Sequence, residues 1–102
     1  MTGKERAAFR AAANSLAPVF QVGKGGISDT LIKQTDDALT ARELIKLKVL
    51  LDTSPVTARE AADALAEATN AEVIQVIGGV FVLYRYNPEL HENERKKQRK
   101  IR

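Results

Sequence analysis

The chain has 102 residues, 44% of them hydrophobic and 28% charged, with sixteen Lys+Arg, thirteen Asp+Glu, one histidine and no cysteine. That length suits one domain with a modest core, and the lack of cysteine excludes disulfides, thiolate zinc sites and cysteine nucleophiles. The net charge of +3 is unevenly placed: six of the sixteen basic residues lie in 95–102, leaving ten against thirteen acidic residues, a balance of −3, before them.

Thr2 and Glu5 have the spacing of a capping box, and Phe9, Ala12, Ala13 and Leu16 recur at helical intervals. A first helix is therefore expected over about residues 3–15, ending before Pro18. The charged N-terminal segment has no secretory apolar core, and no run approaches the ~18–20 apolar residues of a membrane span. A cytoplasmic protein without a membrane partner is expected.

Val19, Phe20 and Val22 suit a short strand at about 19–22. Gly23-Lys24-Gly25-Gly26 follows, with three glycines in four positions, and then Ser28 as an N-cap. Glycines let a backbone approach another molecule closely, and the helix start behind them offers unpaired N–H groups and a positive dipole end. This is chemistry suited to phosphate.

The second helix is expected at about 29–41, burying Leu31, Ile32, Thr35, Ala38 and Leu39. The next strand, about 43–51, alternates clearly. Ile45, Leu47, Val49 and Leu51 share one face, and Leu44, Lys46, Lys48 and Leu50 the other. Two lysines on one face predict that this face meets water and that the helices lie on the opposite side.

Thr57 and Glu60 form a second capping box, ahead of a stripe of Ala61, Ala62, Leu65, Ala66 and Ala68. Two apolar runs, 73–77 and 80–85, flank Gly78-Gly79 and predict a hairpin. The order α-β-α-β-α-β-β implies an α/β, two-layer sandwich with a four-stranded mixed sheet and three helices. Strand order stays open. Asn87-Pro88-Glu89 can cap a short final helix. The domain is expected to span 1–86, and 87–102 to form a basic tail, disordered when unbound.

Nothing in the chain suggests catalysis. His91 falls in the polar tail and reads as a surface histidine. Asp36 and Asp37 are sequence neighbours and point apart on a helix. Ser15, Ser28 and Ser54 sit at element boundaries, where capping explains them, and no metal-ligand cluster is present. No enzyme, cofactor or small-molecule substrate is expected.

The glycine loop matches neither G-x-x-x-x-G-K-[ST] nor G-x-G-x-x-G, which disfavours a nucleotide site. It does match the G-x-x-G logic of KH-type RNA clamps. Phe9, Phe20 and Phe81 read as core. Tyr84 and Tyr86 share a face and could offer one stacking platform, so few aromatics are free for bases. Backbone and shape recognition of structured RNA is favoured over base reading.

The runs Pro18-Val19-Phe20-Gln21-Val22-Gly23-Lys24-Gly25-Gly26, Ile32-Lys33-Gln34, Ala41-Arg42-Glu43-Leu44-Ile45-Lys46 and Gln75-Val76-Ile77-Gly78 together resemble the CRM domain (chloroplast RNA splicing and ribosome maturation). The likeness spans about residues 2–86 and is strongest to the stand-alone bacterial YhbY-type form. It implies a fold similar to the C-terminal domain of a bacterial translation initiation factor. It also implies binding of ribosomal RNA and large-subunit precursor particles, the bacterial role of a family whose plant members act in group II intron splicing.

The family's loop falls on Gly23, Lys24, Gly25 and Gly26. Its basic positions fall on Lys24, Lys33, Arg42 and Lys46. The helix start behind the loop adds Ser28, and the charge pattern adds Lys48 and the arm residues Arg95, Lys96, Lys97, Arg99 and Lys100. A monomeric RNA binder is expected. The alternative is an adaptor that docks on ribosomal proteins or other assembly factors through its sheet edge or a helix surface.

Overall fold

Three side chains start the three helices. Thr2 opens α1 (Gly3–Ala13), Ser28 opens α2 (Asp29–Arg42), and Thr57 opens α3 (Ala58–Thr69). Thr2 and Thr57 accept from the N–H groups of Glu5 and Glu60, whose carboxylates accept in return from the threonine N–H groups. Both expected capping boxes are thus formed, and Ser28 accepts from Leu31 N–H at 3.1 Å. The computed structural model describes residues 1–91.

These cap bonds hold the Glu5 and Glu60 carboxyls below the ordinary carboxylate value of 4.5. Folding then favours the charged form. The contribution is complete above the unfolded value and is lost as pH falls through the lowered folded value. Thermal unfolding followed by circular dichroism should therefore show stability falling below pH ~4.5. The Glu5→Gln, Glu60→Gln protein should show a shallower acid decline, and superimposable declines would mean that the caps do not titrate.

The strands β1 (Phe20–Val22), β2 (Leu44–Val49), β3 (Glu72–Ile77) and β4 (Val80–Tyr84) form one mixed sheet in the order β1-β2-β4-β3. β1 pairs parallel with β2, and β4 lies antiparallel between β2 and β3. The α/β class, the four-stranded mixed sheet and the three helices are as expected. One face carries the core: Ile45, Leu47, Val49, Phe81 and Leu83 pack against Leu31 and Leu39 of α2 and Ala61, Ala62 and Leu65 of α3. In α3 the stripe ends on buried Thr69, and Ala68 is exposed.

The helices are not all on that side. Ala13 of α1 packs on Ile74 and Val82 of the opposite face, flanked by Phe9, Leu44 and Tyr84. Leu44 pairs with Tyr84 at the end of the sheet where β2 begins, so α1 covers that end. Lys48, toward the other end, stays in water.

β2 also stops two residues earlier than its alternation suggests. The carbonyl of Leu50 accepts from the N–H groups of Thr53 and Ser54 at 3.0 and 2.8 Å and turns the chain. Leu51 therefore leaves the core face and is 63% exposed.

The segment after β4 folds back onto the C-terminal end of α2. The Arg85 guanidinium donates to the Asp36 carboxylate, to the carbonyls of Asp36 and Thr69 and to the Thr40 hydroxyl. Residues 88–91 are helical, and the Asn87 side chain accepts from Glu89 N–H at 3.0 Å.

His91 is not a bare surface histidine. Its Nε2 lies 3.0 Å from the Glu43 carboxylate, and its ring stacks on Tyr86. Glu43, at a φ of 65°, ends α2 and also accepts from Asn87 N–H at 2.7 Å. The arm residues Arg95, Lys96, Lys97, Arg99 and Lys100 lie outside the described residues.

Candidate nucleic-acid interface

The glycine loop is a tight turn. Leu50 N–H donates to Val22 at 2.9 Å, fixing where β1 ends, and Gly26 N–H donates to Gly23 at 3.0 Å, closing the turn. Lys24 and Gly25 form its exposed tip. Each glycine has a different environment. Gly26 is buried at a φ of +60°, and a Cβ there would lie 3.0 Å from Pro55 Cγ. A Cβ at Gly23 would sit at an ordinary 3.6 Å from Leu50 Cδ1. Gly25 has no positive φ, and a Cβ there would meet nothing within 4 Å. Neither backbone conformation nor internal packing requires glycine at that position.

Ser28 follows as the cap of α2, with its oxygen already accepting from Leu31 N–H. Asp29 stands in the first helical turn and offsets the dipole's positive end. Lys24 is therefore the main attraction for an anion at the loop, and it has no ion pair among the described residues.

Lys48 lies beside the loop. It is exposed and pairs in register with Gln21, one residue before the end of β1. Lys46 is half-buried on the same sheet face, two residues back. Lys33 lies one turn into α2, exposed and 3.7 Å from Asp37, a surface pair worth only a few tenths of a kcal/mol. Arg42 is the last residue of α2, thirteen residues from its start, or about 20 Å at 1.5 Å per residue.

The structure thus sets Lys48 beside the end of β1, where the Gly23–Ser28 loop begins, and places Lys33 on α2, across the sheet from Lys46 and Lys48. Lys46 instead shares a cleft with Arg42 at the far end of α2. Exposed Lys4 and Arg10 belong to α1, over the same sheet face as Lys46 and Lys48. Nothing in the sequence pattern tells which face α1 takes, so this shared face was not legible there.

Two aromatic platforms are less available than their spacing suggests. Tyr84 stacks on Phe9 with ring centroids 4.0 Å apart. Burial, followed by the Glu43 charge, raises its hydroxyl above the usual tyrosine range. Tyr86 is spent on His91, at the end of α2 away from the loop. Among the described residues no cluster of three or more His, Cys, Asp or Glu is arranged for a metal, and no helix is long and apolar enough to cross a membrane.

Comparisons with known proteins show the family of the chain. The family model of the CRS1 / YhbY (CRM) domain matches residues 1–85. The probable RNA-binding protein YqeI of Bacillus subtilis is 43% identical over 87% of this chain and 92% of its own length. A probable RNA-binding protein of Methanocaldococcus jannaschii is also 43% identical, over 83% of this chain and 63% of that longer protein. The solution structure of a Staphylococcus aureus protein, described as a candidate RNA binder, superposes with a TM-score of 0.69 at 46% identity. That match covers 85% of this chain and 90% of the other.

Proposed function

This chain belongs to the CRS1 / YhbY (CRM) domain family, and from that premise we propose that it is an RNA-binding protein of large-ribosomal-subunit assembly, acting on ribosomal RNA in precursor particles. The family is a non-enzymatic RNA-binding domain, and the relatives are named as RNA-binding proteins. In this reading the Gly23–Gly26 turn clamps the sugar-phosphate backbone, Lys24 meets a phosphate, and Lys48 and Lys46 extend the contact along the strand face. Lys33 and the basic arm contribute non-specific attraction, which falls with salt as counterions are released.

The observation that carries this reading is Gly25. An exposed glycine with open space around it, at the tip of a turn beside a lysine that has no ion pair among the described residues, leaves room for another backbone to come close. RNA supplies such a backbone, and its phosphates suit the lysine.

Crosslinking in cells followed by sequencing of the bound RNA tests the proposal. Reads should concentrate on large-subunit ribosomal RNA, with the crosslinked peptide spanning the loop. Reads without ribosomal enrichment would remove the assembly role, and a crosslinked peptide lacking the loop would remove the clamp.

A further inference from the structure

At the loop end of the sheet, the Leu50–Ser54 turn stands beside the β3–β4 hairpin. Between them is an open cleft of about 580 Å³, lined by Lys48, Leu50, Leu51, Asp52, Gly79 and Val80 among others. Leu51 is 63% exposed, and Ile77, next to the hairpin turn, is 65% exposed. These are the two most exposed large apolar side chains among the described residues, and the core uses neither.

The cleft is built rather than incidental. Val49 N–H donates to the Gly79 carbonyl at 2.6 Å, which ties the hairpin to the end of β2. A Cβ on Gly79 would lie 3.1 Å from the Val49 carbonyl oxygen and 3.4 Å from Leu51 Cγ. Glycine is what lets the hairpin approach Leu51 so closely. The cleft also adjoins the glycine loop, because Leu50 borders Gly23 and donates its N–H to Val22.

We propose that this cleft receives unpaired nucleobases of the RNA strand whose backbone the glycine loop holds, an inference that rests on the clamp reading above. The volume lies in the range of small-molecule sites and suits one or two bases, whereas a helix or strand of a partner protein needs a longer groove. The chemistry also fits a nucleotide. The flat apolar face of a base buries against Leu51 and Val80, with exposed Ile77 paired across from Val80 at the rim, while Asp52 and Thr53 offer acceptors for exocyclic amino groups. Lys48 meets the adjoining phosphate. A purely apolar peptide segment would leave Lys48 and Asp52 without a role. Bases inside an A-form duplex are stacked and paired away from such a surface, so the cleft selects unpaired RNA at a clamp that otherwise reads only backbone.

The test compares Leu51→Ser, Ile77→Ser and Lys24→Glu proteins on two probes: a hairpin with a six-nucleotide loop and a blunt duplex of equal length. Melting followed by circular dichroism verifies that each variant is folded. The Leu51→Ser, Ile77→Ser protein should bind the looped probe about five- to tenfold more weakly, on the scale of one lost base contact. Its duplex affinity should be unchanged. Lys24→Glu should weaken both probes.

If the apolar double variant binds both probes normally while Lys24→Glu weakens both, the cleft assignment fails and the clamp survives. If it weakens both equally, base selection is wrong. If Lys24→Glu changes neither probe, the clamp reading itself fails. Normal RNA binding with loss of precursor-particle association would assign the cleft to a protein instead.

A second measurement uses the unaltered protein. Hairpin RNA with 4-thiouridine in its loop should crosslink to residues 48–53 or 77–80, and adducts confined to other segments would overturn the proposal.

Discussion

Replacing Lys24 by glutamate together with Gly25 by aspartate should weaken binding to structured ribosomal RNA at least about tenfold, equivalent to 1.4 kcal/mol, while the domain remains folded. The folding half of this expectation comes from geometry. Both positions are exposed, neither has a positive φ, and a side chain at Gly25 enters open space. Surface substitutions of that kind alter stability by about 0.5 kcal/mol or less.

The binding half comes from charge. Asp29 already stands in the first turn of α2, so two further carboxylates would make the loop acidic where a phosphate must approach. Losing one phosphate contact should also reduce the log–log salt slope by about 0.7–0.9. Lys46, Lys48 and Lys33 keep residual binding alive. A folded double mutant with unchanged affinity would sink the clamp model. If such a mutant also co-sediments normally with large-subunit precursors, the adaptor reading takes its place.

What could be read in the sequence followed the range of the interactions involved. The capping boxes at Thr2 and Thr57 and the hairpin at Gly78-Gly79 depend on residues a few positions apart, and they form as their spacing implies. The placement of α1 does not. Its stripe of Phe9 and Ala13 says that the helix buries a face. Only the apolar positions of three distant strands, Leu44, Ile74, Val82 and Tyr84, decide against which side of the sheet.

Leu51 shows a different failure. Its position continues the alternation of β2, but two N–H groups from Thr53 and Ser54 converge on the Leu50 carbonyl and turn the chain. Period-2 hydrophobicity records side-chain type and is blind to where the hydrogen-bond ladder ends. The polar run Asp52-Thr53-Ser54-Pro55 carried the available signal for that turn. His91 was misleading for a similar reason, since its partner Glu43 lies 48 residues away. At the loop, the sequence offers three glycines of one kind, and only packing separates them.

That separation gives the second large effect. Gly26→Ala should destabilise the fold by about 1–3 kcal/mol, combining the cost of a positive φ for a residue with a Cβ with the contact against Pro55. Pro55 Cγ stands 3.0 Å from the new methyl, closer than real Cβ contacts normally come, and the proline ring has little freedom to yield. In a domain of this size each kcal/mol lowers the melting temperature by roughly 4–8 °C, so calorimetry reads the change easily.

Gly25→Ala should behave in the opposite way. With no contact to make and no positive φ to strain, its melting temperature should match the parent within about 2–4 °C, the equivalent of about 0.5 kcal/mol. Its RNA affinity should nevertheless fall severalfold, because the methyl occupies the space through which the sugar-phosphate chain approaches. The pair separates an inward reason for glycine from an outward one within two adjacent residues. If Gly25→Ala instead loses stability and keeps its affinity, the glycine serves the fold, and the clamp loses the observation on which it stands.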